Sequence, residues 1–323
     1  MNPFATSEKS IQLIGESALI TKIRSWLGPV SPPTPYGIGD DCALIQPSTE
    51  VEVITCDSLS YGVHFDASLD AADAGSKLIK RNLSDLAAMG ALPKCAVLAL
   101  LAGPNLSLDW LESFFSGIRN SCTHYKLALI GGDLSAIAHN QFSAVLTLIG
   151  EGQQLCTRSQ AAVSDFIYVT GSLGGSRLQK HWNFEPRLQE GRWLATHGDC
   201  SALMDLSDGL GKDLAALLPA NCQAAIDLPG IPIAEDAHRI AKSSANTALE
   251  HAFMDGEDYE LLFTIKPDKA ARFEHDWQQH FPSVPISCIG QIRRSQCPAN
   301  YVDARTGTDF MRMDGFQHFQ HRS

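Results

Sequence analysis

The chain has 323 residues, more than one ordinary core fills, and 44% of them are hydrophobic, enough to build two cored domains. Its formal net charge of −11 argues against nucleic acid or a membrane surface as partner, because both favour basic patches. Nine cysteines, with no C-x-x-C pair among them, indicate neither a disulfide framework nor a zinc site. Residues 1–9 lack a charged-then-apolar signal pattern, and no apolar run approaches the ~20 residues that span a bilayer, so a cytoplasmic location is expected.

Residues 11–27 space their apolar side chains at three and four and predict an amphipathic helix, and the proline-rich stretch Pro29 to Pro35 forces an extended or turning connection. Val51 to Thr55 predicts a strand running into Asp57. A helical pattern follows from Asp70 to Met89, ended by Gly90 and Pro93. Next come a strand over Cys95–Leu101, a helix over Leu108–Tyr125, a strand over Leu127–Ile130 stopping at Gly131-Gly132-Asp133, and a strand over Phe142–Gly150. In the second half, a strand over Asp165–Thr170 feeds the glycine-rich Gly171-Ser172-Leu173-Gly174-Gly175. A short strand over Leu203–Leu206 precedes a helix through Leu218. Further strands are expected at 224–228, 259–265 and 286–292, and helices over roughly 235–250 and 268–280. Interleaved strands and helices give the class α/β (α+β), and the best break, near Gly150 to Arg158, divides the chain into domains 1–153 and 154–323.

Five acidic clusters punctuate these elements: Gly39-Asp40-Asp41, Cys56-Asp57-Ser58, Leu83-Ser84-Asp85, Gly131-Gly132-Asp133 and Asp205-Leu206-Ser207-Asp208-Gly209. Their carboxylates are charged at pH 7. Two such charges about 4 Å apart repel by roughly 4 kcal/mol at an effective dielectric of about 20. A converging set therefore needs cations, and Mg²⁺, which shares oxygen ligands with substrate phosphates, is the natural one. Each cluster alone has a plainer reading. Asp40-Asp41 suits a hairpin turn, Asp85 an exposed ion pair with Arg81, Ser207 or Asp208 a helix N-cap, and Asp133 a turn. Glu257, Asp258 and Glu260 suit a solvated strand edge, His64 a satisfied histidine, and Arg158 either a linker charge or a phosphate clamp. Asn82 and Ser84, set in an otherwise apolar stretch, need partners that a ligand would supply. No P-loop and no G-x-G-x-x-G fingerprint is present.

The order of these motifs resembles the thiamine-monophosphate kinase family. It is carried by Gly37-Ile38-Gly39-Asp40-Asp41, Asp57-Ser58-Leu59 with Gly62-Val63-His64-Phe65, and Asn82-Leu83-Ser84-Asp85-Leu86-Ala87-Ala88-Met89-Gly90-Ala91. Gly131-Gly132-Asp133, Thr157-Arg158-Ser159, Met204 to Leu210 and Gly256 to Leu261 continue it. The resemblance implies an aminoimidazole ribonucleotide synthetase-like fold of two domains. The N-terminal one would bind ATP and Mg²⁺ and pair its sheet across a homodimer. It implies phosphorylation of thiamine monophosphate by ATP, with several Mg²⁺ ions. By the same resemblance, Asp41, Thr55, Cys56, Asp57, Asp85, Asp133, Asp205 and Asp208 are metal positions. Gly132, Asp133, Arg158 and Ser207 are nucleotide positions, and His64, Glu257 and Phe316 hold the thiamine phosphate. Asp133, Asp208 and Arg158 are the catalytic positions implied. Cys56 stands where the family usually has threonine, and Mg²⁺ does not favour a soft thiol over a hydroxyl. Leu134, Gln160, Ser164 and Asp255 also depart from the family pattern, and the segment between Gly175 and Met204 is short. The alternatives are another ATP-dependent enzyme of the same superfamily and a non-catalytic acidic metal-binding protein.

Overall fold

A computed structural model describes residues 2–4, 10–33, 36–38, 43–45, 47–138, 140–295, 301–310 and 315. The chain divides into two units, residues 1–86 with 92–153 and residues 87–91 with 154–323. In the first, the elements are α1 (Gly15–Leu27), β1 (Val51–Ser60), α2 (Ala71–Ala87), β2 (Leu92–Ala102), α3 (Leu108–His124), β3 (Ala128–Ala136) and β4 (Phe142–Gly152). Among the described residues the strands form one sheet in the order β1-β4-β2-β3, with β4 antiparallel to both neighbours and β3 parallel to β2.

Period-two alternation gives this sheet two unlike faces. Leu59, Leu98, Leu100, Leu146 and Leu148 are buried on the side of the helices. There Phe142 meets Trp110 and Phe114 of α3 at 4.9 and 5.3 Å. The other face is open: Ile54 is 71% exposed and Val97 38%. The helices α2 and α3 touch backbone to backbone. A Cβ on Gly75 would lie 2.0 Å from the Phe114 carbonyl oxygen, and one on Gly117 1.9 Å from that of Ala72. No other residue fits either position without moving a helix. Ser107 starts α3 as its N-cap, accepting from the Trp110 amide.

The second unit contains β5 (Phe166–Thr170), α4 (Lys180–Asn183), α5 (Leu188–His197), β6 (Cys200–Asp205), α6 (Leu210–Leu217) and β7 (Cys222–Ile226). It continues with α7 (Glu235–Ala241), α8 (Ala248–Met254), β8 (Leu261–Ile265), α9 (Ala270–His280), β9 (Ile286–Arg294), β10 (Tyr301–Asp303) and β11 (Asp309–Phe310). The described strands run β11-β10-β7-β9-β5-β8-β6. Every residue of β8 is buried, as expected of a strand covered on both faces. On one face Ile167, Val169, Met204 and Leu262 pack with Leu210 and Leu214 of α6 and Phe253 of α8. On the other, Tyr168 and Phe263 stack toward Phe273 and Trp277 of α9, which also meet Trp193 of α5.

Several elements differ from the sequence expectation. The strand expected to stop at Gly131-Gly132-Asp133 runs through it to Ala136, because β3 keeps pairing with β2 past a register shift at Ala96/Val97. Likewise β1 continues beyond Thr55 to Ser60 on β4. The single helix expected over 235–250 is two, α7 and α8. The Thr247–Glu250 capping box restarts the chain after the polar 242–246. The helices α4 and α5 have no counterpart in the sequence pattern, and the strand expected from Tyr259 begins at Leu261. Cys288, set in an apolar run of the sequence, is exposed.

Candidate active site

Strand alternation decides which residues of β1 can act together. Thr55 and Asp57 face α2: the Thr55 hydroxyl donates to Asp85 Oδ2, and the Asp57 amide donates to Asn82 Oδ1 at 3.0 Å. Arg81 reaches the Asp57 carboxylate at 3.3 Å and the Ser58 carbonyl at 2.7 Å. Arg81 therefore neutralises Asp57, not its i+4 neighbour Asp85. Asn82 finds a protein partner where a ligand was expected, and its amide nitrogen bonds the Leu78 carbonyl at 2.9 Å. The structure thus brings Thr55, Asp57 and Asp85 together over one end of α2.

Cys56 points to the opposite, open face, where its sulfur accepts from the Thr147 hydroxyl at 3.4 Å. Asp133 lies on that face as well. With Gly132, Val97, Ala99, Val145 and Thr147 it lines a depression of about 300 Å³. However, β1 and β3 are opposite edges of the sheet. Three interstrand spacings, roughly 14 Å, separate Asp133 from Cys56 and Asp57 within this unit.

His64 sits in the turn after β1. The Ser60 amide donates to its Nδ1 at 3.0 Å, so the neutral ring carries its proton on Nε2. Fully buried Lys77 donates to the His64 carbonyl at 2.8 Å and fixes that turn from below.

In the second unit, β6 ends at Asp205 and the chain turns through Ser207-Asp208-Gly209 into α6. The cap is neither Ser207 nor Asp208. The Asp213 carboxylate reaches back to accept the Asp208 and Gly209 amides at 3.0 and 3.1 Å, leaving the Asp208 side chain to pair with Lys212. Residues 256–260 zip onto this turn. The Glu257 amide bonds the Ser207 carbonyl, the Tyr259 amide bonds the Leu206 carbonyl, and the Leu206 amide bonds the Glu260 carbonyl, each at 2.8 Å. Glu257 and Tyr259 have φ of 65° and 50°, a left-handed conformation costly for side-chain-bearing residues. The strained segment brings Glu257 beside Asp205, Ser207 and Asp208. The turn Arg158–Gln160 packs on β6 and α6 of the same unit. Gly315 lies against Asp208, since a Cβ there would be 2.1 Å from the Asp208 carbonyl oxygen. Asp41 and Phe316 lie outside the described residues.

The glycine-rich stretch after β5 is not a phosphate cradle, because carboxylates occupy its amides. Asp258 accepts the Gly174 amide at 3.0 Å with both oxygens, and Asp255 accepts that of Gly175 at 2.9 Å. Glu260 takes two bonds from Arg187, at 2.8 and 3.0 Å, one from Thr170 at 2.7 Å, and the Lys180 ammonium at 2.8 Å. Neither Arg187 nor Lys180 carries a sequence signal, because no local pattern marks α4 and α5. The i+5 spacing from Asp208 to Asp213 was the one legible hint of the hidden cap.

Burial pushes the Asp258 carboxyl up to about 7, against the opposing pull of Lys180 and the Gly174 amide. A folded-state value above the unfolded one means its stabilising contribution is complete at low pH. That contribution is lost as pH rises from about 4 to about 7. Asp258→Asn should flatten the fall of melting temperature across this window, and an unchanged slope would contradict the assignment. Asp213, likewise raised to about 7 by burial, leaves part of the slope in place.

The donor chemistry fits a hard cation. Thr55 with Asp85, and Asp205 with Asp208, offer oxygen only. Among the described residues no three His, Cys, Asp or Glu gather to hold an ion unaided. Mg²⁺ suits that arrangement, since it binds one or two carboxylates and takes its other ligands from water and phosphates.

The chain matches the family described as AIR synthase related protein, N-terminal domain, over residues 39–151. It is 36% identical over 273 residues to the thiamine-monophosphate kinase of Rhodopirellula baltica, covering 81% of this chain and 84% of that one. The crystal structure of thiamine-monophosphate kinase from Stenotrophomonas maltophilia K279a superposes with a TM-score of 0.71. Its identity is 32%, over 88% of this chain and 95% of that one. AaThiL complexed with AMPPCP and TMP superposes at 0.67 with 26% identity, over 88% of this chain and 93% of that one. The mixed α/β architecture with two sheets is that of these structures.

Proposed function

The chain belongs to the thiamine-monophosphate kinase family, enzymes that phosphorylate thiamine monophosphate with ATP to give thiamine diphosphate, and from that premise we propose how its residues carry the transfer. The observation that most supports the proposal is the zipper between residues 256–260 and 206–208. It joins the proposed substrate position Glu257 to the proposed nucleotide position Ser207 through a main-chain hydrogen bond, on the turn that also carries Asp205 and Asp208.

Gly132 and Asp133 on β3, and Arg158 and Ser207 in the second unit, are the positions assigned to the ATP phosphates. His64, donating from Nε2, holds the thiamine phosphate together with Glu257 and Phe316. Asp41, Thr55, Asp57, Asp85, Asp133, Asp205 and Asp208 would hold Mg²⁺, with Cys56 contributing its main-chain carbonyl. When bound, Mg²⁺ supplies charge neutralisation between two anionic phosphates and aligns them. A phosphate oxygen of thiamine monophosphate forms the new bond to the γ-phosphorus while the bond to the β-bridging oxygen breaks and ADP leaves with its electron pair. The acceptor is already an oxyanion, so no strong general base is required and no phosphoenzyme forms. Incubation with Mg-ATP and thiamine monophosphate, followed by chromatography, should yield thiamine diphosphate. Chirally labelled γ-phosphate should invert. Retention at phosphorus would refute direct transfer.

We assign residues 1–153 to ATP and Mg²⁺ binding and to homodimer formation, and 154–323 to the C-terminal α/β domain. Two observations support a dimer: the open sheet face carrying Ile54 and Val97, and the span between Asp133 and Cys56 at opposite sheet edges. A second copy laid on that face would bring Asp133 of one sheet toward Cys56 of the other. Light scattering at micromolar protein should give twice the 35.0 kDa chain mass. A monomer would count against the shared sheet.

A further inference from the structure

Cys95, Cys122 and Cys222 are buried as small hydrophobes, but two other cysteines are neighbours. Cys156 and Cys200 face each other with sulfurs 3.8 Å apart in the second unit. Cys156 is 5% exposed and lies three residues beyond Gln153, where the chain leaves the first unit. Its amide bonds the Met89 carbonyl at 3.1 Å. Cys200 opens β6, the strand that ends at Asp205, and remains partly exposed. We propose that Cys156 and Cys200 form a redox-responsive dithiol, which peroxide closes to a disulfide and a small thiol reopens, and that closure weakens nucleotide binding through Arg158.

The geometry favours reaction over inertness. The hydrogen bond from Cys200 holds the Cys156 thiol below its ordinary value, against the opposing effect of burial. By contrast, burial alone pushes the Cys122 thiol up to about 12. The thiolate is the nucleophile, so Cys156 attacks first. Its sulfur takes one oxygen from hydrogen peroxide, forming a sulfenic acid and releasing hydroxide. The Cys200 sulfur then attacks the Cys156 sulfur, the S–O bond breaks, and the departing hydroxide takes up the Cys200 proton as water. The net change is two thiols and one peroxide to one disulfide and two waters. Peroxide is small enough to enter beside the partly exposed Cys200.

Closure needs the sulfurs about 1.8 Å nearer than they stand, given a disulfide bond near 2.05 Å. Cys200 is tied into a sheet, whereas Cys156 lies in a connecting segment, so the segment moves. Thr157 and Arg158 follow directly, and the turn Arg158–Gln160 rests on β6 and α6. The effect on nucleotide rests on the proposed role of Arg158, whereas disulfide formation does not.

The test treats the full-length protein with hydrogen peroxide, blocks remaining thiols and identifies linked peptides by mass spectrometry. ATP affinity is measured by calorimetry in the presence of Mg²⁺. The expected result is a Cys156–Cys200 peptide and an ATP dissociation constant raised about five-fold, both reversed by dithiothreitol. Cys200→Ser should bind ATP like the parent before treatment and not respond to peroxide. Absence of the linked peptide, unchanged affinity in the linked protein, or an equal response in Cys200→Ser would each overturn the proposal. If the protein bound ATP but made no thiamine diphosphate, the functional reading would fail, while the linked peptide and the affinity shift would still decide the dithiol.

Discussion

Asp208→Asn should lower kcat by roughly two to three orders of magnitude, the scale seen when one preorganised charge-stabilising group is removed from an active site. The fold around Asp208 predicts a functional loss without a structural one. The Asp213 carboxylate holds the Asp208 and Gly209 amides, so the turn into α6 survives a change of side chain. The Asp208 carboxylate itself touches Lys212, a half-buried i,i+4 pair of small energetic value. Melting temperature should therefore stay close to that of the parent, while the Mg²⁺ concentration for half-maximal rate rises. Steady-state kinetics at saturating Mg-ATP and thiamine monophosphate would read both effects. A kcat within a few-fold of the parent would remove Asp208 from the phosphate chemistry.

The second large effect is on stability. Glu260 is 2% exposed and serves as the common anion for Arg187 and Lys180. Burial pushes its carboxyl up, but the two cations more than offset this and hold it below the ordinary glutamate value. Glu260→Ala leaves both cations facing an empty buried site and should cost about 3–5 kcal/mol, measured by urea unfolding. Glu260→Gln keeps the shape and an acceptor and should cost less. Because the folded-state value is depressed, the contribution of Glu260 is present above the unfolded value of about 4.5. It is lost as pH falls through the folded one. Acid unfolding of Glu260→Ala should show a shallower pH dependence than the parent, and an identical profile would contradict the ion cluster.

What could be read in the sequence was the period of the long elements and the order of the acidic motifs. The apolar spacing in α1, α2 and α3 and the apolar run of β2 identified their elements without help from tertiary contacts. Strand ends were less legible. Glycine and aspartate at Gly131-Gly132-Asp133 spell a turn locally, yet β2 supplies a partner that keeps the backbone extended. The face on which a site residue lies was also hidden. Thr55 and Cys56 are adjacent in sequence but project to opposite sides of β1, and motif order cannot express that. Buried ion pairs escaped for a further reason: Glu260 lies 73 residues beyond Arg187 and still farther from Lys180, and meets them only in the folded chain.

The contact of Gly75 with Phe114 and of Gly117 with Ala72 makes α2 and α3 a rigid spacer rather than adjustable packing. Side-chain repacking can absorb an added methyl at most helix crossings, but here the obstacle is main chain on both sides. An alanine at Gly117 would have to lift α2, and the helix would carry the lift along its length to Asp85, about 15 Å from Gly75. The Thr55–Asp85 contact would open although neither residue had changed. On the proposed role of Asp85 as a metal ligand, affinity for the cation would be governed from a point no ligand touches. A survey of inactivating substitutions should find Gly75 and Gly117 among its hits, as alignment defects instead of lost chemistry.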